Sequence, residues 1–538
     1  MKLVFVLFDT LNRLALGAYG GREVATPNFD RFARRAMTFD NHYVGSLPCM
    51  PARRDMHTGR LNFMHRSWGP LEPFDNSLPA ILNKTNVYTH LITDHFHYFE
   101  DGGATYHNRY RTWDLVRGQE FDPWKAVVDP PLERFAQDYS DLHYNKPGER
   151  NRLQHQINRS FIRDEDEFPG PQCITRGLEF LDCNRDADNW MLQIECFDPH
   201  EPFHVPEKYR EALPTGYDGP ILDWPRYGPC TNTLEEIAEI RANYNALVAM
   251  CDHHFGRLLD YFDAHDLWKD TCLVLSTDHG FLLSEHDWWG KNIPPYFEEL
   301  SHIPLIMHHP AHADRAGTRI DALTQTPDLM PTMLDIFGLE APPETRGRSI
   351  LDRLDGDDGE RVIAFGMHGG PVGVTDGHHT YFRYPPERDG PAPAEYTLMP
   401  THLKSMFSVE ELADATLHPP LDFTKGAPVL RVPGLVPEKR GPGLYRDPFG
   451  RFGTSLYDLT NDPGQSTPVD DPAIVARLED GLRGILRAHG ATDDFYAWLG
   501  FDAPARSLVS DADESDDSDA VAADAYGAQR DLVNRGRA

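Results

Sequence analysis

Cysteine is scarce in this chain, and the seven that occur are scattered: Cys49, Cys173, Cys183, Cys196, Cys230, Cys251 and Cys272. No two form a C-x-x-C pair, which argues against a zinc knuckle or a disulfide framework. Each reads as a small buried hydrophobe. Also missing is any uninterrupted apolar run of the roughly 18 residues that a membrane-spanning helix needs. The first apolar stretch, MKLVFVLFDT, stops at Asp9 with no small-residue cleavage site behind it, so it reads as a first strand and not as a signal peptide. A soluble, cytoplasmic protein is the expectation. Positive charge is in short supply as well. The 52 Lys and Arg residues against 84 Asp and Glu leave a formal net charge of -32, which argues against general affinity for nucleic acid. A small anionic substrate remains compatible, because a Debye length of about 8 Å leaves the nearest residues of a site in control.

What is present is ordinary for a folded protein: 40% hydrophobic and 25% charged residues over 538 positions. Apolar runs at Leu3 to Phe8, Val87 to Thr93, Trp190 to Phe197 and Thr271 to Thr277 read as buried strands. Helical periodicity separates them at Thr26 to Ala36 and at Thr233 to His265, the second opened by a Thr233/Glu236 capping box. This alternation predicts an α/β fold with a large, mostly parallel sheet covered by helices on both faces, over residues 1–355. From 356 to 505 Pro and Gly become dense, and short strands such as RVIAFGMHGG and HHTYFRYP precede a late helix near PAIVARLEDGLRGILRAHG. A smaller C-terminal α+β subdomain with antiparallel strands is expected there. Residues 506–538 are acidic and poor in large apolar groups, and read as a disordered tail.

In an open parallel sheet, ligands bind beyond the carboxyl ends of the strands. Here those ends carry Asp9, then Asp94 with His95 and His97, then Asp198 with His200, then Asp278 with His279. Carboxylate and imidazole donors arriving from two strands, Asp9 and the Asp278-His279 pair, are what a divalent cation requires. Ca²⁺ or Mg²⁺ suits the carboxylates, and His279 keeps Mn²⁺ or Zn²⁺ open. The stretch GSLPCMPARRDMHTGR (residues 45–60) places Cys49 where a loop turns into a helix, whose free N–H groups favour an anion, with Arg53 one turn further on the same side. A nucleophile, a cation and free amides at one point suit attack on an anionic ester.

These residues resemble the formylglycine-dependent sulfatase family of the alkaline-phosphatase superfamily. Cys49, Pro51 and Arg53 match its C-x-P-x-R signature, continued by Thr58-Gly59-Arg60. FDTLNRLALGAYG is similar to the opening metal strand, DPHEPF to the His-x-Pro element, STDHGFLLSEHDWWGKN to the Asp-His-Gly segment with its lysine, and SLYDLTNDPGQ to a C-terminal marker. Together they span residues 1 to about 490. The resemblance implies that Cys49 is converted to Cα-formylglycine by a formylglycine-generating enzyme. It implies that Asp9, Asp278 and His279 hold a divalent metal with the residue at 49, Ca²⁺ foremost and Mg²⁺ or Mn²⁺ as alternatives. Arg53 would steady the nucleophile, Lys291 hold sulfate oxygens or the leaving oxygen, His200 act as general acid, and His97 act as base.

Two departures qualify the match. Thr10 stands where many sulfatases have a second acid, a feature shared with phosphonate monoester and phosphodiester hydrolases. His95 stands where the family usually has lysine, and falls at the substrate. His368 and His378, in HGGPVGVTDGHHTYFRYP, are candidates to reach over the site and read the substrate, and Trp288 or Trp289 to form a pocket wall that stacks on a sugar or aryl ring, whereas His57, His308 and His309 read as structural or surface groups. The expected activity is hydrolysis of a sulfate ester of a small molecule, such as a sulfated sugar. The alternative is a phosphonate monoester or phosphodiester hydrolase using the same residues. A non-enzymatic scaffold is disfavoured by the co-occurrence of so many site residues, and the oligomeric state stays open.

Overall fold

Every side chain of strand β1 (Lys2–Phe8) is buried. Leu3, Phe5 and Leu7 enter one apolar layer and Val4, Val6 and Phe8 the other, which is why LVFVLF is a continuous apolar run and not an alternation. The computed structural model describes residues 1–144, 149–291, 295–356, 361–387, 390–434 and 452–504. With β2 (Met37–Phe39), β3 (Tyr88–Thr93), β4 (Thr112–Leu115), β5 (Trp190–Cys196), β6 (Thr271–Ser276), β7 (Leu305–His308) and β8 (Arg319–Ile320), β1 builds an eight-stranded sheet in the order β8-β2-β7-β6-β1-β5-β3-β4. All its neighbours pair in parallel except those of β7, which runs against both β6 and β2.

Helices cover both faces. On one side, α1 (Pro27–Ala33), α3 (Pro169–Cys183) and α4 (Leu234–Ala264) contribute Phe29, Ile174 and Phe255, among others, to the layer under Val4 and Val6. On the other, α2 (Cys49–Thr58) and α5 (Leu329–Ile336) contribute Met56 and Met330 to the layer under Leu3 and Phe5. The Thr233/Glu236 capping box opens α4 as expected. Among the described residues, no helix is long and apolar enough to cross a membrane. Five of the cysteines are buried, but Cys183 is exposed and Cys230 half-buried, so the expectation that all seven are buried fails at these two.

Beyond the large sheet, β9 (Ile363–Gly366), β10 (Val372–Thr375) and β11 (His379–Arg383) form an antiparallel meander, and β12 (Glu395–Thr397), β13 (Thr416–His418) and β14 (Val429–Val432) a second small sheet. Strand β15 (Ser455–Asp458) joins the meander through β11, and α6 (Pro472–His489) packs against it. Phe365, Val374 and Leu482 share one core with Tyr43, Phe63, Leu282 and Trp288. Met1–Phe501 make one compact unit, and the tail expected from 506 lies outside the described residues.

The loop before α2 is tied down on two sides. Leu47 N–H donates to Gly366 O (2.8 Å) and Gly366 N–H to Gly45 O (3.1 Å). Buried Asp55 accepts from the N–H (2.6 Å) and hydroxyl (2.9 Å) of Ser46 and from the N–H (3.1 Å) and side-chain amide (2.6 Å) of Asn62. Position 45 has to be glycine, since a Cβ there would meet Asp55 Oδ2 at 2.3 Å. Gly59 ends α2 at φ 64°, and its carbonyl accepts from Arg346 and Gly347 N–H. Arg60 donates to Glu344 O and His489 O, tying the motif to the end of α6. Asp55→Ala strands these donors, each worth about 1–3 kcal/mol when left unpaired. It is expected to lower the urea midpoint well beyond the effect of an exposed control such as Asp260→Ala.

Candidate active site

Arg53 lies one turn into α2, 1% exposed, and its guanidinium meets three buried carboxylates. NH2 donates to Asp9 Oδ2 (2.8 Å), Nε to Glu195 Oε1 (2.7 Å) and NH1 to Asp278 Oδ2 (2.7 Å). A further NH1 bond to Cys49 O (3.0 Å) fixes the first turn of the helix. Burial alone would raise the Asp9 carboxyl. Arg53, with His200, His95 and Lys291, outweighs it and holds Asp9 well below the usual carboxylate range. Glu195 was missed by the sequence reading. It stands at the register position of Leu7, inside a buried strand whose other polar side chain is Gln193, and a lone carboxylate in such a run was the available signal.

Four potential ligand atoms from Asp9, Cys49, Asp278 and His279 lie within 4.8 Å of one another, all buried. His279 Nδ1–H donates to Gly280 O (2.9 Å), which leaves the Nε2 lone pair facing Cys49 Sγ at 3.2 Å. Burial pushes the Cys49 thiol well above its ordinary range, with Lys291 acting in the opposite direction. In its encoded form Cys49 is therefore a poor nucleophile, since the thiolate and not the thiol attacks.

Thr10 occupies φ 63°, a left-handed conformation that is an outlier for a β-branched residue. Four contacts hold it there: its N–H donates to Asp278 Oδ1 (3.1 Å), its hydroxyl to Asp9 Oδ1 (2.6 Å), its carbonyl accepts from Tyr244 OH (2.9 Å), and Lys291 Nζ donates to its hydroxyl (3.2 Å). Lys291 also lies 3.4 Å from Glu201 Oε2, whose other oxygen accepts from Tyr227 OH. Glu201 and Tyr227 were likewise not anticipated.

Three histidines complete the group. His200 Nδ1–H is engaged by the Glu201 carbonyl, and burial, followed by Lys291, depresses its pKa well below the usual value. His95 stands 3.5 Å from Asp9 Oδ2, and both its ring nitrogens are buried without a hydrogen-bond partner. His97 Nδ1–H donates to Glu100 Oε2 (2.7 Å), with Glu120 Oε2 3.7 Å from Nε2.

Other candidates sit elsewhere. His368 is clamped between the carbonyls of Phe63 (2.9 Å) and Pro393 (3.1 Å) and acts as a structural tie. His378 is exposed at the turn between β10 and β11, the end of the meander opposite the Gly366 contact with the motif loop. Trp288 and Trp289 are core residues, Trp288 edge-on to Phe452 and Trp289 donating to Asn232. Packing consumes the surfaces of His368, Trp288 and Trp289, and exposed His378 lies at the far end of the meander, so their placement lends no support to the expectation that these four contact substrate. His57 (bonded to Ser77) and His308 (bonded to Trp268 O) are structural, as read.

A mostly parallel sheet with acids, imidazoles and a cationic helix turn at its carboxyl edge defines a hydrolase of alkaline-phosphatase-like architecture. Residues 2–339 match the family described as Sulfatase. The chain belongs to the sulfatase family, and with it to the sulfuric ester hydrolases. It is 22% identical over 389 residues to an arylsulfatase of Clostridium perfringens, covering 66% of this chain and 78% of that one. It is 27% identical over 382 residues to the multifunctional alkaline phosphatase superfamily protein PehA of Trinickia caryophylli, covering 62% and 72%. Among solved structures, the phosphonate monoester hydrolase of Agrobacterium radiobacter superposes with a TM-score of 0.59 at 19% identity, covering 91% of this chain and 96% of that one.

Glu195→Ala leaves Arg53 Nε and Tyr98 OH without their acceptor. It is expected to cost about 3–5 kcal/mol in chemical denaturation, the usual penalty for breaking a buried pair, with Glu195→Gln losing less. Unmodified Cys49, its thiol pushed up by burial, is expected to resist iodoacetamide at pH 8 in folded protein while exposed Cys183 reacts. Peptide mass spectrometry of both sites reads the difference.

Proposed function

We propose that this protein is a metal-dependent sulfatase that hydrolyses the sulfate ester of a small organic molecule, such as a sulfated sugar, through a formylglycine made from Cys49. The observation that carries the reading is the buried Asp9, Cys49, Asp278 and His279 cluster, joined by Arg53 to the C-x-P-x-R helix.

The residues fit a divalent ion. Hard carboxylate oxygens and a neutral imidazole with its lone pair directed inward are an appropriate donor set for Ca²⁺, Mg²⁺ or Mn²⁺. Among the described residues, the carboxylates of Asp9, Glu195, Asp278 and Glu201 pair with two cationic side chains, Arg53 and Lys291. Asp9, Asp278 and His279 would hold the ion together with residue 49. When present, the ion would supply Lewis acidity and the modified residue a hydroxyl nucleophile.

The remaining roles belong to the chain itself. Arg53 orients residue 49 through its carbonyl and screens the carboxylates. Lys291, fixed by Thr10 and Glu201, offers N–H donors to ester oxygens as charge gathers on them. His200 keeps its Nδ1 proton on the Glu201 carbonyl and turns Nε2 toward the site. An incoming anion raises the proton affinity of that nitrogen, which lets it deliver a proton to the departing alcohol. Glu100 fixes the tautomer of His97, leaving Nε2 as the basic nitrogen. His95, whose Nε2 faces Asp9 and whose Nδ1 is buried without a hydrogen-bond partner, is available to a substrate oxygen. A formylglycine-generating enzyme would act on the chain before activity appears.

A second reading, hydrolysis of phosphonate monoesters or phosphodiesters, is favoured by one observation: the side chain at position 10 bridges Asp9 and Lys291 as a hydroxyl instead of a second carboxylate. Steady-state rates on matched aryl sulfate and aryl phosphate diester separate the two. The sulfatase reading expects the larger kcat/KM on the sulfate, and a large preference for the phosphorus ester would replace it. Mass spectrometry of residues 46–60 from protein made with its maturation machinery is expected to show the aldehyde, and unmodified cysteine in active protein would end the formylglycine mechanism. Chelation is expected to abolish turnover, with recovery on adding Ca²⁺, Mg²⁺ or Mn²⁺.

A further inference from the structure

At the rim of this site, Lys404 is an exposed cation held at both its backbone and its ammonium. Its backbone is pinned on both sides: Leu403 N–H donates to Trp68 O (2.9 Å), Gly102 N–H donates to Leu403 O (2.8 Å), and Thr401 Oγ donates to Ser405 O (2.9 Å). A Cβ at position 102 would meet His402 O at 2.2 Å, so the two segments approach as closely as only glycine allows. The ammonium lies 5.2 Å from the centroid of Trp68 and 4.9 Å from that of Phe121, a two-sided cation–π hold that orients an otherwise mobile stem.

The same two rings pack edge-on against His97, at 5.6 and 5.8 Å, and His97 in turn lies 5.1 Å from His95, beside Asp9. Among the described residues, Lys404 Nζ makes no hydrogen bond and no ion pair, and the residue is exposed. Two carboxyl groups, Glu100 and Glu120, stand close enough for the Lys404 charge to act on both, but neither is hydrogen-bonded or ion-paired to it. Glu100 is taken by His97 Nδ1. Burial raises Glu120 to about 8, so it is largely neutral at pH 7, and its Oε2 is buried without a hydrogen-bond partner beside His97. The rim therefore carries an oriented cation with three free donors, one aromatic layer away from His97 and His95.

The geometry points to Lys404 as a specificity residue that binds a second oxyanion, carboxylate or sulfate, carried by the alcohol portion of the substrate. This rests on the sulfatase reading above and narrows it from sulfate esters in general to doubly anionic ones. The aromatic rings hold the ammonium ready, so little side-chain entropy is lost when the anion arrives. An uncharged alcohol would leave Lys404 in water and gain nothing from it.

The test uses the full chain and three aryl sulfates: 4-carbamoylphenyl sulfate, 4-carboxyphenyl sulfate and 1,4-phenylene disulfate. Taking kcat/KM of each variant relative to wild type on the same ester cancels the intrinsic reactivity of the leaving group. Lys404→Glu is expected to lose about tenfold more on the two charged esters than on the neutral one, the scale of reversing one semi-exposed charge contact. Lys404→Arg is expected to keep the wild-type preference. A loss on the carboxylate alone, or on the disulfate alone, names which oxyanion is read. Equal losses on all three esters, or no loss on any, overturn the proposal. If wild type turns over none of the three, the sulfatase reading fails separately, and calorimetric Kd values for the same esters then judge Lys404. Affinity lost by Lys404→Glu for the charged esters alone upholds its role, and equal affinities dismiss it.

Discussion

The site depends on one buried guanidinium. Arg53 gathers carboxylates from the ends of three neighbouring strands, β1, β5 and β6, and such a cluster repays its desolvation only if all its members meet. The sheet makes that possible, because in-register parallel pairing puts Glu195 level with Leu7 and Ser276 level with the same residue. Asp9 and Asp278 then emerge two residues further along their strands, at the same edge. Helix α2 is held against this edge by Asp55, Gly59 and Arg60, so the cation cannot be displaced without loosening the loop that presents Cys49.

Around that centre, backbone carbonyls decide where protons sit. Gly280 O fixes the His279 tautomer and Glu201 O that of His200. Both are bonds within or next to the residue itself, so each ring is oriented by the chain turn that follows its strand. The left-handed Thr10 serves the same end: one strained residue joins Asp9, Asp278 and Lys291, and its strain is held in place by the helix α4 tyrosine at 244. Strain of this kind persists where the surroundings over-determine it, and such places cluster at functional sites.

The C-terminal region contributes in two distinct ways. The meander of β9 to β11 supports the motif loop from outside through Gly366, and His368 between β9 and β10 ties the same region to the Phe63 and Pro393 carbonyls. The segment around Leu403 instead reaches the rim by bonding to Trp68 and Gly102, and delivers Lys404 beside His97. Support of the motif loop and the cation at the rim thus come from separate segments of the C-terminal region, His368 in the first and Lys404 in the second.

The buried strands, the long capped helix, the acids and histidines at strand ends and the C-x-P-x-R turn were all legible in the sequence, because apolar periodicity, capping and close-range spacing are local properties. So was the set Asp9, Cys49, Asp278 and His279, whose ligand types are written in the residues themselves. Glu195, Glu201, Tyr227 and Lys404 were not legible, since each gains its meaning from a contact with chain tens or hundreds of positions away. The antiparallel direction of β7 and the burial of Trp288 and Trp289 belong to the same class. Residue type and spacing determined which chemistry this protein can assemble. Only tertiary packing decided which charges face one another, which aromatic rings are consumed by the core and which cation is left for a ligand, because burial and pairing are properties of the assembled surface and not of the chain order.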